Sequence, residues 1–182
     1  EVYKIIKSKF ENTPKEKICG LVGDLTNMET SYIFKEFFDR TLVSKNYESR
    51  CDNRFLDIAK RENYLFNSTI SGIEESDLIF LIGTNPRYEA TILKARIRKA
   101  YLNNNTKIIS LNEVGDLTYP YESLDGQTQS INNIFDGNHE ISKKIISSYK
   151  PIIILGESLL NLNSSKYLFN KIKTFLTVNN KI

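Results

Sequence analysis

Tryptophan is absent from this 182-residue chain, histidine and methionine occur once each, and cysteine only twice. Cys19 and Cys51 stand far apart with no CxxC-type spacing, so the residues write neither a zinc site nor an iron–sulfur cradle. Reduced thiols are expected in preference to a disulfide. The lone His139 has no Ser, Cys or Asp partner in an obvious constellation, and reads as a surface or capping residue. No GxGxxG and no GxxxxGK[ST] occurs, which removes the common dinucleotide and P-loop fingerprints. No run approaches the roughly 18–20 apolar residues that span a bilayer, and residues 1–10 lack the apolar core of a signal peptide. The net charge of +3 is spread through alternating acids and bases. It leaves no nucleic-acid footprint and no direct membrane insertion to expect.

What is present is an ordinary globular composition, 40% hydrophobic and 26% charged, sufficient for a single domain over residues 1–182. The chain opens on Glu1, not Met, and reads as a piece of a longer intracellular protein. Val2 to Phe10 predicts a helix with Val2, Ile5, Ile6 and Phe10 on one face. Lys17 to Gly23 predicts a short strand. A helix over roughly Glu29 to Val43 follows, with Tyr32, Phe34, Phe37, Phe38 and Leu42 as its stripe and Asp24, Thr26 or Asn27 as cap. Tyr47 to Ser71 has no clean period beyond a short strand near Tyr47 to Cys51.

Past Ile73 the pattern sharpens. Glu74-Glu75-Ser76 caps a short turn, and Asp77 to Gly83 is apolar on both faces, as a central parallel strand is. Tyr88 to Leu102 predicts a helix facing the sheet through Ile92, Leu93, Ile97, Ala100 and Tyr101. Lys107 to Leu111 and Pro151 to Gly156 are further strands. Gly126 to Phe135, His139 to Ser148 and Ser164 to Leu176 are helical stretches. The alternation indicates an α/β fold, a doubly wound and mostly parallel sheet with helices on both faces.

Such folds bind ligands beyond the carboxyl ends of their strands, which singles out three turns. Gly20-Leu21-Val22-Gly23-Asp24 reads as glycines permitting close strand-to-helix packing. Gly83-Thr84-Asn85-Pro86 ends the central strand, where free amides could face an anion. Gly156-Glu157-Ser158 reads as a turn with Ser158 as a cap. Lys94, Arg96, Arg98 and Lys99 form either a solvated helix face or a contact for an acidic partner. Nowhere do a nucleophile, a base and an oxyanion site assemble, so no catalytic residue and no metal ligand is expected.

The runs Gly20 to Leu25 and Gly72 to Ala90, with Ala95 to Lys99 and Asp116 to Tyr119, resemble the large iron–sulfur subunit of the proton-pumping NADH:quinone oxidoreductase, respiratory complex I. Its bacterial members are called the G subunit and its mitochondrial members the 75-kDa subunit. The resemblance covers most of residues 18–160, and implies a Rossmann-like domain of the molybdopterin oxidoreductase type. It also implies that electrons pass from NADH through FMN toward quinone over iron–sulfur clusters held upstream of Glu1. The implied partners are other peripheral-arm subunits on the cytoplasmic side of a bacterial inner membrane. In cofactor-binding relatives a G-x-N-P turn and a later I-D-P-R turn hold the nucleotide of the pterin. Gly83-Thr84-Asn85-Pro86 matches the first, whereas Leu111-Asn112-Glu113-Val114 has neither the acid nor the arginine of the second. The resemblance therefore implies a silent structural domain without its own cofactor. The alternatives are a nucleotide- or molybdopterin-binding module using Gly83 to Pro86, and a free-standing interaction module using the basic helix.

Overall fold

The computed structural model describes residues 1–23, 25–49 and 55–181. The chain falls into two compact units, Glu1–Asn53 and Arg54–Ile182. The division lies where the sequence carries no shift in composition.

In the first unit, α1 (Val2–Asn12) precedes β1 (Gly20–Leu21), and α2 (Met28–Glu36) runs on into a π-helical turn, Phe37–Leu42. β2 (Tyr47–Glu48) lies parallel to β1. The strands are shorter than the apolar run at 17–23 predicts, because one two-residue partner can satisfy only a few backbone groups. Cys51 and Asp24 lie outside the described residues. Asn27 is the cap of α2, its Oδ1 accepting the Thr30 N–H at 2.8 Å. The core is aromatic: Phe34 and Phe38 have ring centroids 4.9 Å apart, and Ile18, Phe38 and Leu42 are buried. A Cβ on Gly20 would strike the rings of Phe34 and Phe38, so the close packing read from sequence holds there. It does not hold at Gly23, where a Cβ would meet nothing. The expected stripes are only partly buried: α1 has no buried residue, and Tyr32 is exposed.

The π-helical turn ends on Val43, at φ 51° and ψ 45°. A β-branched residue is strained in that left-handed region, which glycine enters freely. The Val43 side chain is exposed, so little burial is forfeited by removing it. Val43→Gly is expected to stabilise the protein by about 1 kcal/mol, the relief of left-handed strain outweighing the added freedom of the unfolded chain. Urea denaturation measures it.

The second unit holds a parallel sheet of four strands. These are β3 (Leu78–Ile82), β4 (Lys107–Leu111), β5 (Glu122–Leu124) and β6 (Pro151–Leu155), in the order β5-β4-β3-β6. All three pairings are parallel, with Phe80 opposite Ile109 on one side and Ile153 on the other. The helices are α3 (Pro86–Glu89), α4 (Thr91–Asn104), α5 (Thr128–Phe135), α6 (Glu140–Ser147), α7 (Glu157–Leu160) and α8 (Ser165–Val178). Side chains alternate between two layers. Ile79, Leu81 and Ile108 pack with Ile97 of α4 and with Ile73, Leu117 and Tyr119. Leu78, Phe80, Ile82 and Ile109 pack on the other face with Ile134 of α5, Ile145 of α6 and Ile172 of α8. This is a doubly wound sheet, as its strand pattern predicts.

The differences from expectation are local. β5 has no signal in the sequence, since Glu122-Ser123-Leu124 is polar and largely exposed at the sheet edge. The helix expected to begin at Tyr88 is split, with Ala90 at φ −152° interrupting α3 and α4. Ile92 points outward instead of to the sheet. Two hydroxyls are buried without a hydrogen-bond partner among the described residues, Ser110 Oγ and Tyr119 OH. Burial alone pushes the Tyr119 phenol far above its ordinary range.

The basic helix is engaged within the chain. Glu74 accepts from Arg96 and, at 2.8 Å, from Lys99 Nζ, and Arg98 Nε donates to the Thr118 carbonyl at 3.3 Å. These pairs tie α4 to the turn at Gly72–Glu75, whose other carboxylate, Glu75, pairs with Lys150. Lys99 first and Arg96 second hold the Glu74 carboxyl below its ordinary 4.5. A depressed folded value means the contribution is present above 4.5 and lost as the pH falls through the lower folded value. Glu74→Gln is therefore expected to flatten the acid side of the stability-versus-pH curve relative to wild type. Urea melts from pH 7 down to pH about 3 read the difference.

Candidate functional site

A doubly wound sheet opens a ligand crevice where successive connections leave in opposite directions. Here the chain moves from β3 to β4 and β5 on one side, then returns to place β6 on the other. The crevice belongs between the carboxyl ends of β3 and β6. The Gly83-Thr84-Asn85-Pro86 turn follows the first of these strands and Gly156-Glu157-Ser158 follows the second.

The two turns are packed backbone to backbone. The Gly156 N–H donates to the Ile82 carbonyl at 2.8 Å, carrying the ladder one residue past the end of β6. The Gly83 carbonyl accepts from the Ser158 N–H at 3.3 Å and from Ser158 Oγ at 2.5 Å. Gly83 itself is left-handed at φ 64°. A Cβ on it would lie 2.7 Å from the Leu159 backbone nitrogen, and a Cβ on Gly156 would collide with the Gly83 carbonyl oxygen and with Thr84. Ser158 does not cap α7, whose N-cap is Gly156. Its hydroxyl donates across to the Gly83 carbonyl of the neighbouring turn.

The Asn85 amide and the Thr84 hydroxyl, two donors that could face an anion, are already engaged. The Asn85 N–H donates to Glu89 Oε1 at 2.9 Å, and Thr84 Oγ1 donates to Glu89 Oε2 at 2.8 Å. The chain's own carboxylate thus sits where an anionic ligand would accept those protons. Asn85 Oδ1 caps α3 by accepting the Arg87 N–H at 3.1 Å, and its Nδ2 donates to the Val114 carbonyl at 2.8 Å. Arg87 Nη1 donates to the Asp116 carbonyl at 2.6 Å and to Asp116 Oδ2 at 2.8 Å. The Thr118 N–H first, and then Arg87, holds the Asp116 carboxyl below its ordinary range. Val114 is anchored in turn, its N–H donating to Tyr121 OH at 3.0 Å. Gly83, Thr84 and Asn85 of the turn, and Arg87 after it, therefore all make hydrogen bonds inside the chain.

The family model for molybdopterin oxidoreductase matches residues 1–182. The chain belongs to the molybdopterin oxidoreductase family. It is 35% identical over 182 residues to the NADH-ubiquinone oxidoreductase 75 kDa subunit of Reclinomonas americana, covering 93% of this chain and 26% of that protein. It is 33% identical over 160 residues to the G subunit of the NADH-quinone oxidoreductase of Rickettsia felis, covering 87% and 24%. The corresponding protein of Rickettsia prowazekii is 32% identical over 159 residues. The chain spans about a quarter of the length of these curated relatives.

The family name implies a pterin cofactor, and the residues present do not fit one. The crevice between β3 and β6 is filled by glycine backbone, and Glu89 accepts from the turn that would meet phosphate. At the end of β4, Asn112 is left-handed at φ 93° and its N–H continues the ladder to Leu124, with no acid–proline–arginine sequence to follow. Two open clefts lie at the amino ends of the strands instead. One of about 340 Å³ is lined by Tyr149, Lys150 and Lys181, and the other, about 420 Å³, by Tyr101, Lys107 and Tyr121. Among the described residues no group of three His, Cys, Asp or Glu is placed to hold a metal ion. No helix among them is long and apolar enough to cross a membrane. His139 caps α6, its Nδ1 accepting the Ile141 N–H at 3.2 Å. That role was legible in the sequence; the one played by Glu89 was not, since nothing in sequence separates a helix-start carboxylate from one that folds back onto its own turn.

Proposed function

We propose that residues 1–182 are a structural part of the large subunit of an NADH:quinone oxidoreductase, and carry out no chemistry by themselves. Iron–sulfur clusters borne by the rest of the polypeptide would pass electrons from NADH and FMN toward quinone. The partners are the other subunits of a peripheral arm, on the cytoplasmic side of a bacterial inner membrane. The family model matches residues 1–182 as one stretch, which supports treating both compact units as one α/β domain of that subunit.

The observation that carries the silent reading is the closed crevice, with Ser158 and Gly156 seated on Gly83. A fold retained without its ligand still has a core to offer as a scaffold, and fold alone does not restore the older chemistry. Metal analysis for molybdenum, tungsten and iron, with fluorescence of oxidised pterin, is expected to be blank on the purified chain. Stoichiometric pterin would sink the reading. The second reading, a nucleotide module, has the preserved Gly83-Thr84-Asn85-Pro86 sequence in its favour. It requires saturable heat on titration with a guanine nucleotide, and a flat titration curve is expected.

A further inference from the structure

β6 is an edge strand with unusual properties. Pro151–Leu155 pairs with β3 on one side, and no strand among the described residues pairs with the other. Its sequence, Pro-Ile-Ile-Ile-Leu, contains no charge, although isolated edges are normally blunted by lysine, a bulge or a cover. Parallel sheets are stable when their strands are paired and covered on both faces, and Ile153, Ile154 and Leu155 are left half-buried.

Handedness decides what belongs there. Parallel strands in one sheet are joined by right-handed crossovers in nearly all cases. The β3–β4 connection runs toward β5 with α4 on the Ile79 face. The β5–β6 connection runs the opposite way, with α5 and α6 on the Phe80 face. Opposite direction with opposite face preserves the hand. The helix after β6 is α8, and it also packs on the Phe80 face through Leu168, Ile172 and Phe175. A right-handed connection through α8 must therefore continue in the direction of the β5–β6 step, onto the open edge of β6. α8 also returns the chain to the correct end: Lys181 Nζ donates to the Ser148 carbonyl, three residues before β6 begins. The cleft of about 340 Å³ lined by Pro151, Ile152, Asn180 and Lys181 lies at that foot.

We propose that the open edge of β6 receives a parallel strand from the stretch of the same polypeptide immediately after residue 182. This rests on the reading of the chain as part of a longer subunit, whose relatives are about four times its length. The backbone groups available are defined. The Gly156 N–H points to β3, so by alternation the Ile154 and Ile152 amides do as well, and the outward set is Ile153 and Leu155. The third outward position is Pro151, which has no amide to leave unpaired, as suits the first residue of such a strand.

Hydrogen exchange resolved to single amides tests this on the isolated full-length subunit, on the same subunit truncated after residue 182, and on residues 1–182. The Ile153 and Leu155 amides are expected to exchange roughly 100-fold or more slowly in the full-length subunit than in either shortened chain. Ile152 and Ile154 serve as internal references, protected by β3 in all three. Equal exchange of the outward pair in every chain overturns the proposal while leaving the subunit reading intact. Protection that survives truncation assigns the strand to an upstream segment and overturns it too. Protection in residues 1–182 that grows with concentration, alongside a dimer by light scattering, assigns the edge to a second copy and overturns it as well. A natural polypeptide ending at residue 182 overturns both this proposal and the subunit reading.

Discussion

Phe80→Ala is expected to cost about 4 kcal/mol, the range for truncating a fully buried aromatic whose surroundings cannot collapse. Phe80 sits mid-strand in β3 with no exposed surface, between two paired strands. Its ring is stacked on Phe135 at 6.4 Å, and Phe135 meets Phe175 edge-on at 5.4 Å. Removing the ring leaves a void bounded by α5, α8 and the sheet, none of which can move in without breaking its own contacts. For a chain of this size the loss corresponds to a fall of roughly 8–16 °C in Tm. Phe80→Leu, which retains most of the volume, is expected to cost less than about 1.5 kcal/mol. Differential scanning calorimetry of the pair is the measurement. An alanine variant melting within a degree or two of wild type would mean that the Phe80 layer is not the main core.

Gly156→Ala is expected to destabilise by about 3 kcal/mol, the upper end for overpacking, although it adds only one methyl group. Its backbone is ordinary, at φ −95°, so conformational freedom is not the reason for glycine. The reason is the Gly83 carbonyl, which a Cβ would strike and which two Ser158 donors and its own peptide hold in place. Gly23→Ala is the control, since a Cβ there meets nothing, and it is expected to stay within about 0.5 kcal/mol of wild type. The glycine also separates the two readings of this end of the sheet. If the turns close on each other for structural reasons, Gly156→Ala lowers stability and the amount of subunit that assembles. If the crevice were a working site, the added methyl would instead abolish ligand binding with stability largely intact.

The strands at 78–82, 107–111 and 151–155 were legible because each is a largely apolar run between turn residues, broken only by Lys107 and Ser110 in the second, the mark of burial on both faces. The helix at Glu140–Ser147 follows from local chemistry, while the structure selected the capping role of His139 over a surface one and Asn27 from the three caps the sequence offered. β5 escaped because its three residues owe their strand state to β4, not to their own preference: Ser110 pairs with Ser123, and neither is a strong strand former. The basic helix shows a second limit. Sequence identifies Arg96 and Lys99 as cations on one face, but their common acceptor, Glu74, lies 22 and 25 residues away in the chain and only the fold brings it to them.

The site divides along the same line. The sequence by itself determined the α/β class, the family, the position of the G-T-N-P turn and the absence of the second cofactor turn after β4. These depend on local pattern and residue identity, which are present in the unfolded chain. Only the tertiary structure decided that Glu89 folds onto the Asn85 amide and Thr84 hydroxyl of its own turn, that Ser158 reaches Gly83 from 75 residues away, and that β6 stands at an open edge. Those facts depend on where the crossovers place each strand end. That placement comes from the handedness of the connections and the burial of both sheet faces together, and no stretch of sequence carries it alone.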